Sequence, residues 1–189
     1  SSFVQHCIWK SDFASMWNLL IYTTFVDIHI MTTFCTIYTK DNQSPPLTEV
    51  PNDIPSSATR VNLSSNEISS LDGRLDHITL LQRLYLDNNE FTVFPNLGNI
   101  GSNLQVLNLN RNYISDIPPD HMPMMPAMTT FFMPFNRLSE MPDSSKIPNV
   151  VILSLSGNYI RHICPTHLQH LTRIKKFYFG ANPLHVFPD

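Results

Sequence analysis

The stretch Leu104-Gln105-Val106-Leu107-Asn108-Leu109-Asn110-Arg111-Asn112-Tyr113-Ile114-Ser115-Asp116-Ile117 decides the fold. Leu107 and Leu109 are two apart, the period of a strand with one buried face. Apolar residues return at Ile114 and Ile117, after Asn112. The same phrase occurs six times along the chain, with Asn66, Asn89, Asn112, Asn136, Asn158 and Asn182 in the asparagine position. Their separations are 23, 23, 24, 22 and 24 residues. A fixed period of this length marks a solenoid, in which each repeat buries its apolar face only against its neighbours.

The asparagine has a physical reason. Where the chain leaves the strand and turns inward, its backbone N–H and C=O groups are buried without ladder partners, which is costly. An amide side chain offers two donors and an acceptor to satisfy them. These six asparagines are therefore read as a structural ladder. Proline keeps the same register: Pro95, Pro118, Pro142 and Pro188 each follow their ladder asparagine by six residues, and Pro165 by seven. It fixes φ where the chain turns. After the asparagine, apolar residues in three-residue steps (Leu75, Ile78 and Leu81; Met122, Met125 and Met128; Leu168, Leu171 and Ile174) suit a turn of helix or 3₁₀. The connections beginning at Phe94-Pro95 and Met141-Pro142 read as irregular.

The six phrases resemble the leucine-rich repeat family, whose repeats run about 20–29 residues. The resemblance covers residues 47–189 and implies an α/β solenoid, or horseshoe, with a parallel sheet on its concave side. Residues 1–46 carry no repeat, so the domain boundary is placed between residues 46 and 47. The phrase Leu47-Thr48-Glu49-Val50-Pro51-Asn52-Asp53-Ile54-Pro55 resembles the start of extracellular members, and Asn182-Pro183-Leu184 resembles their last repeat. In those members cysteine caps flank the array; here no Cys-x-Cys spacing occurs. The chain is expected to be a piece of a longer protein. Leu19 to Tyr38 lacks the sustained apolar run of about 20 residues that a membrane span needs, and Phe25 to Ile30 alternates like a strand. Residues 1–46 read as irregular or strand-like structure, with a degraded signal or anchor and non-native sequence as the alternatives.

Composition narrows the function. The chain has 189 residues, 42% hydrophobic, 14% charged, with net charge −3. That excludes a disordered chain and offers no basic excess for nucleic acid. Three cysteines are too few for a disulfide-dense miniprotein. The family's usual binding surface is the exposed side of the strands. The residues assigned there are Arg83, Tyr85, Asp87, Asn108, Arg111, Phe132, Phe135, Ile152, Lys176 and Tyr178. Arg83, Asp87 and Arg111 form a polar, mixed-charge region; Phe132, Phe135 and Ile152 form an apolar patch. Aromatics beside arginines resemble interface hot spots.

The resemblance implies a non-enzymatic module that recognises a protein on its concave face. It implies the ectodomain of a secreted or cell-surface receptor or adhesion protein, like Toll-like receptors; an intracellular scaffold or regulator is the alternative. Membrane association is expected only through regions outside this chain. Asn42-Gln43-Ser44 and Asn62-Leu63-Ser64 are acceptor patterns for glycosylation at Asn42 and Asn62. No phosphate loop, nucleophile elbow or zinc-protease motif is present, so no catalytic residue or cofactor is assigned. His162, Cys164, His167, His170 and His185 do not match a zinc spacing, and no metal is assigned. Cys164 is expected to be a half-buried free thiol, and a Cys7–Cys35 bridge is conceivable.

Overall fold

The computed structural model describes residues 37–185. The expectations for Phe25–Ile30, Cys7, Cys35 and Pro188 lie outside the described residues.

Seven three-residue strands form one parallel sheet in chain order: β1 (Ile37–Thr39), β2 (Arg60–Asn62), β3 (Arg83–Tyr85), β4 (Val106–Asn108), β5 (Thr130–Phe132), β6 (Ile152–Ser154) and β7 (Lys176–Tyr178). The register never slips. Tyr38, Val61, Leu84, Leu107, Phe131, Leu153 and Phe177 pair in one row. All except the half-buried Phe177 are buried. They pack against the second strand-end row, Leu63, Leu86, Leu109, Met133 and Leu155, and against apolar residues of the returning connections. Phe94 meets Phe131 edge-on, with ring centroids 6.1 Å apart.

Each ladder asparagine bonds in the same way. Asn112 Nδ2 donates to Leu86 O of the preceding repeat and to Leu109 O of its own, and Asn112 Oδ1 accepts from Phe91 N. Asn66, Asn89, Asn136, Asn158 and Asn182 repeat the pattern. The turn's otherwise orphaned backbone groups are thus satisfied once per repeat.

β1 lies upstream of residue 47 and extends the sheet into the segment that carries no repeat. It departs from the phrase at two points. Lys40 stands where Leu63 stands in the next repeat, and its carbonyl still accepts from Asn66. Gln43 stands where the ladder asparagine would be. Lys40 and the Tyr38 hydroxyl both bond the Asp53 carboxylate. The Arg74 guanidinium ties Glu49 and the Val50 carbonyl to the second connection.

The connections differ from expectation in where they coil. The two read as irregular hold the 3₁₀ turns, at Gly98–Asn103 and Ser144–Lys146. Leu75, Ile78 and Leu81 lie instead on a string of separate turns, with Ile78 N bonding Leu75 O and Leu81 N bonding Ile78 O. Three-residue apolar steps serve both forms, so spacing alone does not separate them. A single α-helical turn spans Pro165–Leu168. A second set of amides pins these connections: Asn103 Nδ2 bonds Thr79 O, and Asn149 Nδ2 bonds Pro126 O.

Candidate functional site

Alternation along each strand puts one residue inward and leaves its neighbours on the open side of the sheet. Parallel register lines these up into columns. One runs Ile37, Arg60, Arg83, Val106, Thr130, Ile152, Lys176; the other runs Thr39, Asn62, Tyr85, Asn108, Phe132, Ser154, Tyr178. Eight of the residues singled out in the sequence belong to this face or its margin: Arg83, Tyr85, Asp87, Asn108, Phe132, Ile152, Lys176 and Tyr178.

The polar end of the face is a bonded knot centred on Asp87. Its Oδ1 accepts from Ser64 Oγ at 2.7 Å and from Asn108 Nδ2 at 2.8 Å; its Oδ2 accepts from Asn88 Nδ2. Three repeats are thereby cross-linked by one carboxylate. Neither Arg83 nor Arg111 pairs with it, so the mixed charge is not neutralised locally. The Arg60 guanidinium lies 4.8 Å from the Tyr85 ring centroid. Two polar atoms at this face, Arg60 Nε and Asn110 Oδ1, are buried without a hydrogen-bond partner among the described residues. Towards β7 the face turns aromatic: Phe132 is half-buried and Tyr178 is exposed.

Arg111 and Phe135 sit elsewhere. Both lie past the strand end in the left-handed backbone region, at φ 53° and 55°. Ser65, Asn88 and Ala181 share that conformation at the same repeat position, and Gly157 has φ 68°. L-residues adopt it at a cost, and it turns their side chains onto the edge where the chain leaves the sheet. There the Arg111 guanidinium lies 5.8 Å from the Phe135 ring centroid. This edge was not legible, because glycine, the usual marker of positive φ, occupies only one of these positions.

Asn42 is exposed with φ 47°. Asn62 is half-buried, and its Oδ1 accepts from Ser64 N at 3.1 Å. The Cys164 thiol is exposed rather than half-buried, because its residue caps the Pro165–Leu168 turn at the surface. His167 Nδ1 accepts from Cys164 N, and His162 stacks obliquely on His185 at 6.3 Å. Among the described residues, no group of three or more His, Cys, Asp or Glu side chains could hold a metal ion. No described helix is long and apolar enough to cross a membrane.

Away from the sheet, a cleft of about 480 Å³ opens between two connections, lined in part by Asp116, Ile117, Glu140, Met141, Asp143 and Lys146. Asp143 is engaged there: the Ser145 hydroxyl hydrogen bond holds its carboxyl below the usual range.

The sheet, the ladder and the register together define a parallel solenoid of one repeated unit. The Leucine Rich Repeat family model matches residues 103–125 and 149–171. Both windows open on the asparagines, Asn103 and Asn149, that pin the returning connections. The chain carries leucine-rich repeats. Leucine-rich repeats and immunoglobulin-like domains protein 3 of Homo sapiens is 32% identical over 96 residues, which is 50% of this chain and 9% of that protein. The chain thus matches under a tenth of that relative's length. Among solved structures, the TLR13-ssRNA13 complex superposes with TM-score 0.63 at 21% identity, over 72% of this chain and 20% of that one. The functional domain of InlJ from Listeria monocytogenes, which includes a cysteine ladder, superposes with TM-score 0.61 at 22% identity. It covers 75% of this chain and 29% of that one. At these identities the likeness concerns the fold.

Proposed function

We propose that the chain is a non-enzymatic recognition module that binds a protein on the open, concave side of its sheet. The observation that carries this reading is the unbroken register of Tyr85, Asn108, Phe132 and Tyr178 beside the Asp87 knot. Solenoids use such extended faces for binding. Aromatic side chains and arginines there have no core role, and they are the residue types that dominate interface energetics. The orphaned atoms Arg60 Nε and Asn110 Oδ1 are groups that a ligand or water would satisfy. Arg83, Ile152 and Lys176 form the flank of the same footprint.

The setting that best fits is extracellular, as part of a secreted or cell-surface receptor or adhesion protein. The human relative carries immunoglobulin-like domains by its name, a module common at cell surfaces. Asn42, exposed on its turn, is the acceptor for a glycan in that setting; a glycan on Asn62 would crowd the face. One observation favours an intracellular scaffold instead: the exposed free thiol of Cys164 suits a reducing compartment.

The test is selection of the purified chain against a displayed library of extracellular protein domains. Tyr85→Ala with Phe132→Ala is expected to weaken the recovered binder by roughly thirtyfold, about 2 kcal/mol, with the urea midpoint little changed. Binders indifferent to both substitutions would contradict the assignment.

A further inference from the structure

The edge beyond the strand ends carries two columns that flank the buried asparagine ladder. The column before the asparagine runs Ser65, Asn88, Arg111, Phe135, Gly157; the column after it runs Glu67, Glu90, Tyr113, Arg137, Tyr159. In the middle repeats these columns pair arginine with aromatic. The Arg111 guanidinium lies 5.8 Å from the Phe135 centroid, and the Arg137 guanidinium lies 4.8 Å from the Tyr113 centroid. Phe135 itself lies against Gly157, where a Cβ would come within 2.7 Å of the ring. The edge is strongly apolar for a surface: Tyr113, Phe135 and Tyr159 are 47%, 55% and 60% exposed. A cleft of about 400 Å³ opens among Asn88, Glu90, Arg111, Tyr113 and Phe135.

Both guanidiniums are held on a ring, yet neither bonds a carboxylate or a carbonyl among the described residues. Their planar donor forks are therefore preorganised and unspent, the state that favours bidentate carboxylate binding. The stacked repeats set the two forks one repeat apart, about 5 Å at the sheet, and alternate side chains of an extended segment are about 6.6 Å apart. Glu67 and Glu90 continue the column in the other direction. They would repel a polyanion running along the edge, and because Glu90 lines the cleft itself, the docked segment keeps its two carboxylates on the Arg111 and Arg137 side.

We propose that this edge is a second docking surface, distinct from the sheet face, for an extended protein segment with two carboxylates flanked by apolar side chains. The carboxylates take Arg111 and Arg137, and the apolar side chains cover Tyr113, Phe135 and Tyr159.

The test uses the full chain and three fluorescein-labelled probes in an anisotropy titration at low salt: an alternating Glu-Val peptide, the matching Gln-Val peptide, and a single-stranded oligouridylate of similar length. The Glu peptide is expected to bind roughly tenfold or more tightly than the Gln peptide, as charge-assisted bidentate bonds require. Arg111→Gln with Arg137→Gln should erase that ratio at an unchanged urea midpoint. Tyr85→Ala with Phe132→Ala should leave the ratio intact, which separates this surface from the sheet face. The proposal is overturned by undetectable or equal binding of the two peptides, or by a ratio that survives the double arginine variant. Oligouridylate binding as tight as the Glu peptide, with the same arginine dependence, would reassign the edge to nucleic acid.

Discussion

Asn112 Nδ2 lies 3.0 Å from the carbonyl oxygen of Leu86, 26 residues earlier, and this bond joins two repeats through the buried turn. Its truncation orphans Phe91 N, while Leu86 O keeps the Asn89 amide. Asn112→Ala is expected to destabilise the solenoid by about 1–3 kcal/mol, the cost of unsatisfied buried groups. A urea melt with an unchanged midpoint would show that water replaces the amide at no cost.

Phe131 fills the middle of the core against Phe94. Phe131→Ala should cost about 3–5 kcal/mol, the range for an aromatic truncated in a core that collapses only in part. Thermal and urea melts should agree on this loss. A loss below about 1 kcal/mol would mean the stack is loosely packed there.

Gly157 combines φ 68° with a Phe135 ring where its Cβ would stand. Gly157→Ala should destabilise by roughly 1–2 kcal/mol, since the left-handed backbone alone costs an L-residue about that much. Phe135→Ala removes the clash but not the backbone cost. The double variant should therefore lose less than the sum of the two single variants, and strict additivity would place the ring elsewhere.

Asp53 ties β1 to the first connection. Burial pushes its carboxyl up, but hydrogen bonds from Tyr38 and Lys40 outweigh that and hold it below the usual carboxylate range. The Tyr38 hydroxyl is pushed well up by burial and by the same carboxylate. A carboxyl with lowered folded pKa stabilises the fold above its unfolded pKa, and that contribution disappears as pH falls through the folded value. Amide protection in β1, relative to the intrinsic exchange rate at each pH, should fall below about pH 4, and Asp53→Asn should lower it already at pH 6. Protection in the variant equal to the parent's at both pH values would remove Asp53 from this role.

The sheet was legible in the sequence because its signal is redundant. An apolar pair and an asparagine recur at fixed spacing, and the turn needs one amide per repeat whatever else varies. β1 escaped because Lys40 and Gln43 break both marks at once. The returning connections were only half legible: Leu75-type spacing fits a run of turns as well as a 3₁₀ helix, and Gly98–Asn103 coils without an apolar period. The face columns follow from register alone. The Arg111–Phe135 pairing does not, because it depends on a backbone conformation that these residue types do not advertise.

The account rests on the sheet face as the place of recognition, and hydroxyl-radical footprinting tests it most directly. The chain is oxidised alone and with the binder recovered from the extracellular-domain library, and each oxidised residue is quantified. Tyr85, Phe132 and Tyr178 are expected to be protected on binding, while the exposed Met124 on a returning connection keeps its reactivity. Protection of Met124 with Tyr85, Phe132 and Tyr178 unchanged would place recognition on the other side of the solenoid and contradict the account.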